Sequence, residues 1–166
     1  RYPADDEAKI FFALYNAGTQ TQADQSYAAY LKSAGILETQ FKKYPDHPGV
    51  AHYLIHSYDA PPLANQGLNA ARRYADIAPA APHALHMPSH IFTRIGSWQE
   101  SAATNVRSRD VAKVGGEADE AYHASDYMVY AYLQLARDAA ARQAIYEALQ
   151  VDAVSSRFAA RYAKAA

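Results

Sequence analysis

Two histidine pairs carry the chemistry open to this chain. His52 and His56 stand four residues apart, and so do His86 and His90. Random placement of seven His over this length gives roughly 0.3 such pairs. Four residues is a little over one helical turn, so both rings of a pair leave the same helix face and can chelate one cation through two imidazole nitrogens. Neighbouring helices pack about 8–10 Å apart, close enough for all four rings to converge if the pairs sit on adjacent helices. Asp126 and Tyr130 repeat the four-residue step later in the chain, with His123 one turn before Asp126. Several His with one carboxylate suit Zn²⁺, and the same donors accept Fe, Mn, Cu or Ni. The candidate metal ligands are therefore His52, His56, His86, His90, His123 and Asp126. An ion with an open coordination position would activate water for hydrolysis, with Asp126 or Asp59 as base.

The same pattern admits two other readings. His52, His56, His86, His90, Asp126 and Tyr130 can instead line a groove that receives a protein, a peptide or a small ligand. This binding-module reading, with no catalytic residue assigned, is the one the sequence favours over an enzyme. Alternatively, duplication has copied His residues that only pack and hydrogen-bond, against Tyr53, Tyr58 and Phe92 or to Asp59 and Ser89, in a purely structural segment. His47, in Asp46-His47-Pro48-Gly49, reads as a cap or turn residue, and His83, beside Pro82, as a helix starter. Trp98 reads as core. Arg72, Arg73, Arg94, Arg107 and Arg109 read as solvated helix faces that can clamp an anionic group of a partner. Tyr53 follows His52 and Met87 follows His86, so neither pair has the Glu of a zincin signature. Phosphate loops, nucleophile elbows and dinucleotide fingerprints are missing as well.

Composition narrows the classes further. The 166 residues are 50% hydrophobic and 20% charged with a net charge of -1, which describes a folded chain rather than a disordered one. Balanced charge provides no basic footprint for nucleic acid and no polybasic membrane anchor. No segment approaches the roughly 20 apolar residues that span a bilayer. The lack of Cys excludes disulfide scaffolds, thiolate zinc sites, iron–sulfur clusters and cysteine nucleophiles, leaving His and carboxylates as the metal donors. The chain opens on Arg1, and its ending from Phe158 to Ala166 shows no polar capping helix. A fragment of a longer protein is the expectation.

The elements that must position these residues are helices. Ala-rich stretches with few β-branched residues lie between Pro and Gly punctuation. Apolar steps of three and four predict helices from about Asp5 to Ala17, Ala23 to Tyr44, Gly49 to Tyr58, Gly67 to Ile77, Ala84 to Ile95, Trp98 to Lys113, and Glu120 to Ala136. A last helical stretch runs from about Ala139 to Ala165 with a break near Asp152, and Pro88 must sit in a first turn or kink its helix.

A shift of 34 residues superposes Pro45 on Pro79, Pro48 on Pro82, His52 on His86, His56 on His90 and Tyr58 on Phe92. Thirty-four is the period of tetratricopeptide (TPR) repeats. Phe92 and the run Ile95-Gly96-Ser97-Trp98-Gln99-Glu100-Ser101 resemble the turn between the two helices of such a repeat. A shift of 40 then places Tyr132 on Phe92, Ala136 on Gly96 and Ala141 on Ser101. The expectation is one all-α domain over 1–166, a TPR-like right-handed α-solenoid of about four antiparallel helix pairs. Its units cover roughly 5–45, 46–79, 80–114 and 120–150, with a C-terminal helix over 152–166.

The run from Asp46 to Asp59, the run from His83 to Phe92 and the run from Asp126 to Leu135 also resemble a group of bacterial TPR proteins of unassigned function. That resemblance covers most of the chain. It implies a right-handed superhelix with a concave, ligand-accepting face and supplies no activity, and the compartment, bacterial cytoplasm or periplasm, stays open.

Overall fold

Helix-favouring segments bounded by Pro, Gly and Asp become helices, and the computed structural model, which describes residues 4–151, contains no strand among them. The first pair is α1 (Asp6–Ala17) and α2 (Ala28–Lys43). The second is α3 (Pro48–Tyr58) and α4 (Leu68–Ile77), joined through a short 3₁₀ turn at Ala64–Gly67. The third has a two-part first helix, α5 (Pro82–His86) and α6 (Pro88–Arg94), followed by α7 (Trp98–Gly115). The fourth pairs α8 (Ala118–Gln134) with α9 (Asp138–Leu149). Each helix packs on its partner and on the next pair, through α2 against α3, α4 against α6, and α7 against α8. The result is an all-α, TPR-like solenoid.

Large aliphatic side chains fill the interior between small ones. Ile10, Leu37, Leu54, Ile55, Met87 and Ile91 are fully buried, and Ala13, Ala51 and Ala71 let helices approach closely. Gly67 marks the tightest crossing: a Cβ there would lie 2.8 Å from Ile91 Cδ1 and 3.0 Å from Tyr58 Cβ. The first helices of successive pairs also meet, α3 with α6 and α5 with α8, which brings their faces into one continuous wall.

Three details depart from the sequence expectation. Helix α2 begins at Ala28 rather than near Ala23, because side chains before it satisfy the backbone in turns. Asp24 accepts from the Ser26 amide at 2.9 Å, and Gln20 donates to the Asp24 carbonyl at 2.7 Å while accepting from the Ala29 amide at 3.2 Å. Such local bonds compete with the helix. Pro88 divides the fifth helix in hydrogen bonding but hardly in direction, since Met87 keeps helical angles of φ -51° and ψ -37°. Trp98 is half-buried and meets Tyr130 edge-on at 5.6 Å, so it is a rim residue and not a core one. The expected helix over 152–166 lies outside the described residues.

The turn that pointed to the repeat is built twice. Gly96 has φ +76° and Ala136 has φ +54°. After each, the next amide donates five residues back at 2.8 Å, Ser97 to the Phe92 carbonyl and Arg137 to the Tyr132 carbonyl, the bond of a Schellman stop.

Candidate metal centre

The site is assembled by the wall of first helices. Helix α3 presents His52 and His56, α5 presents His83 and His86, α6 presents His90, and α8 presents His123. Their rings form one patch. Centroid separations are 4.8 Å for His52–His56, 5.1 Å for His52–His83, 5.9 Å for His56–His90, 5.0 Å for His86–His90 and 4.2 Å for His86–His123. His47 stands apart as the cap of α3, its Nδ1 accepting from the Val50 amide at 3.3 Å.

Hydrogen bonds fix which nitrogen of each central ring faces its neighbour. His86 is fully buried, and its Nδ1 lies 2.7 Å from Asn105 Oδ1. Asn105 on α7 donates Nδ2 to the Ser101 carbonyl at 2.8 Å, which settles the orientation of its amide. Oδ1 can only accept, so His86 carries its hydrogen on Nδ1 and a lone pair on Nε2. His90 Nδ1 lies 2.9 Å from Asp59 Oδ2, while Arg94 Nε donates to Asp59 Oδ1 at 2.7 Å. Burial pushes the Asp59 carboxyl up, but His90 and Arg94 outweigh it and hold the group below its ordinary value. An ionised carboxylate only accepts, so His90 also keeps its hydrogen on Nδ1.

The consequence is that His86 Nε2 and His90 Nε2 face each other, separated by 3.0 Å, a gap that a shared proton or a shared metal ion can fill. Burial, then the neighbouring His90 and His123, drive the His86 ring far below its ordinary pKa, so His86 does not take a second proton near neutrality. One ring nitrogen from each of His86, His90 and His123 lies within 4.8 Å of the other two. Two imidazole nitrogens bound to one ion at about 2.0–2.1 Å would be about 3.0 Å apart at an angle of about 95°, so the spacing fits a chelate as well as an N–H···N bond.

A second pair repeats it one unit earlier. His52 Nε2 and His56 Nε2 are also 3.0 Å apart. Tyr74 stacks on His52 at 5.4 Å with the planes 18° apart. Burial lowers His52 to about 3 and His56 to about 4, helped by the neighbouring rings, so both are neutral at pH 7. His83 Nδ1 lies 3.4 Å from Glu120 Oε2.

Asp126 and Tyr130 are exposed and flank the cluster rather than enter it. With Asp59, His90, Thr93, Arg94 and Tyr127 they line a pocket of about 230 Å³ against the His90 side of the patch. Asp59 has both oxygens engaged, so it orients His90 and is not placed as a base. Asn105 is the residue that the sequence does not point to, and His83, read there as a helix starter, joins the patch of rings. His83 carried a signal in its three-residue step to His86, whereas Asn105 lies 19 residues from its partner with no spacing rule to connect them.

No protein-family model matches the chain, and no curated protein matches it. Among solved structures, it superposes on MamA MSR-1 C2 with a TM-score of 0.69 and 16% identity, covering 92% of this chain and 79% of that one. A mutant of MamA gives a TM-score of 0.64 at 16% identity, over 89% of this chain and 78% of that one. A thermophilic TPR protein in Thermus thermophilus aligns over 97% of this chain and 98% of its own at 15% identity, with a TM-score of 0.49. No helix among the described residues is long and apolar enough to cross a membrane. At such identities a likeness speaks of fold alone, and the fold, read from the helix pairing and its period, is a TPR-like helical repeat.

Proposed function

We propose that this chain is a TPR-like scaffold that holds a divalent transition-metal ion through His86 Nε2, His90 Nε2 and a ring nitrogen of His123. The opposed Nε2 atoms of His86 and His90, 3.0 Å apart, carry this reading. Two imidazole nitrogens at that distance share either a proton or a metal ion. A proton joins only the pair, whereas a metal ion also takes up the third ring. Asn105 and Asp59 supply the outer partners that metal-bound His rings require, a carbonyl or carboxylate accepting from the far nitrogen. Three imidazole ligands suit Zn²⁺ first, with Ni²⁺, Cu²⁺ and Fe²⁺ sharing the donor type.

Tetrahedral Zn²⁺ with three protein ligands keeps one position for water or for a donor atom of a guest. The pocket beside His90 gives such a guest a place, with Arg94 and Asp126 at its wall. The metal and groove readings of the sequence therefore converge: a protein or peptide partner, the guest that TPR-like folds suggest, would meet the ion through this face. Elemental analysis of untagged protein and calorimetric titration with Zn²⁺ test the proposal. Stoichiometric metal that His86→Gln with His90→Gln removes from this centre is the expected result. Absence of bound metal, with the same melting temperature in Zn²⁺ and in EDTA, would overturn it.

A further inference from the structure

The second histidine pair lies outside the three-ring set, and its geometry takes the reading further. We infer that the chain holds a second divalent metal ion one repeat earlier, between His52 Nε2 and His56 Nε2 with His83 as the nearest third ring, so that the wall carries a two-ion centre. The inference rests on the proposed function of the first centre and adds a count to it.

Three observations support the second ion. The bite is the same, Nε2 to Nε2 at 3.0 Å in both pairs, on the first helices of consecutive repeats. Packing alone does not require one atom type to be opposed at one distance twice. Next, the His52 ring is held in place, stacked on Tyr74 at 5.4 Å with the planes 18° apart. Finally, each pair has an accompanying carboxylate–histidine couple. Asp59 holds His90 at 2.9 Å beside the first centre, and Glu120 lies 3.4 Å from His83 beside the second. His83 bridges the patch, its ring 5.1 Å from His52 and 6.1 Å from His86. The competing account of the pair is a single N–H···N bond between two neutral imidazoles, which needs no ion.

Counting ions separates the two accounts. Untagged protein stripped with EDTA and dialysed would be titrated with Zn²⁺, and bound zinc counted by elemental analysis. Two equivalents are expected in the unaltered chain. One is expected in the His52→Gln, His56→Gln variant, and one in the His86→Gln, His90→Gln variant, with helicity by circular dichroism kept in both. A count of one that His52→Gln, His56→Gln leaves unchanged overturns the second ion and leaves the first standing. A count of two that persists in that variant overturns it equally, and no bound zinc at all removes both. Should the variants lose helicity, Cu²⁺ loading of the unaltered chain decides. Two neighbouring Cu²⁺ ions broaden each other's paramagnetic resonance by dipolar coupling, whereas a narrow signal integrating to one ion per chain overturns the inference.

Discussion

Asn105 decides which nitrogen of His86 faces the centre. Its amide is anchored by the Ser101 carbonyl, and its oxygen holds the hydrogen of His86 on Nδ1. Loss of such an outer partner costs metal sites about 10–100-fold in affinity, so Asn105→Ala is expected to weaken Zn²⁺ binding by about that factor while helicity is kept. Calorimetry checks this, and unchanged affinity would mean that the ring needs no such anchor. Protons act at the same scale. In metal-free protein His52 and His56 stay neutral down to about 3 and about 4, whereas in the unfolded chain His titrates near 6.5. Between those values the unfolded state binds more protons, so stability is complete above pH 6.5 and declines as pH falls through the window. Thermal melts in EDTA at pH 7.5, 5.5 and 4.5 should show that decline, and His52→Gln with His56→Gln should flatten it. The meeting of rings was legible where it follows spacing along a helix face, as in both His pairs. The partners that orient them were not legible, since Asn105 and Asp59 reach their rings from other helices, and no linear pattern encodes an amide or carboxylate approaching across a helix interface.

Elements repeat more faithfully than residues do. Ala136 takes the left-handed conformation of Gly96 at the equivalent turn, with the same backbone bond after it. A left-handed conformation costs an L-residue roughly 1–2 kcal/mol, a penalty that Gly does not carry. Ala136→Gly is therefore expected to stabilise the chain by about 1 kcal/mol, less the entropy Gly loses on folding, as an increased urea midpoint would show. The opposite holds at Gly67, where α4 crosses α3 and α6 with no room for a methyl group. Gly67→Ala should cost about 1–3 kcal/mol by overpacking, visible as a lowered midpoint in the same titration. Most helix bounds were legible because Pro, Gly and apolar periodicity are local signals, and the 34-residue shift aligned two pairs directly. The start of α2 was not, because Gln20 and Asp24 resolve a competition between turn and helix that periodicity does not weigh. Trp98 was misplaced for a related reason: a large apolar ring at an inter-helix turn can cap the edge of the stack against Tyr130 as well as fill it.

Across the whole molecule, the first centre spans a joint. His86 and His90 belong to the third pair and His123 to the fourth, so one ion would tie two units that otherwise hold together through α7 against α8 and α5 against α8. In a solenoid each unit is stabilised chiefly by its neighbours, so a ligand that bridges two units changes how cooperatively they open. Binding to the folded state alone adds about 2.7 kcal/mol at a free ion concentration of 100 times Kd. Most of that should appear as coupling between the third and fourth pairs. Hydrogen exchange with and without Zn²⁺ reads it directly, with protection expected to rise in α5, α6 and α8 together. His123→Ala leaves the two-ring bite on the third pair intact but cuts the tie. Zn²⁺ should then still slow exchange in α5 and α6, at weaker affinity, while α8 exchanges as fast as in the metal-free chain. If α8 gains equal protection without His123, the coupling runs through helix packing, and the ion belongs to the third pair alone.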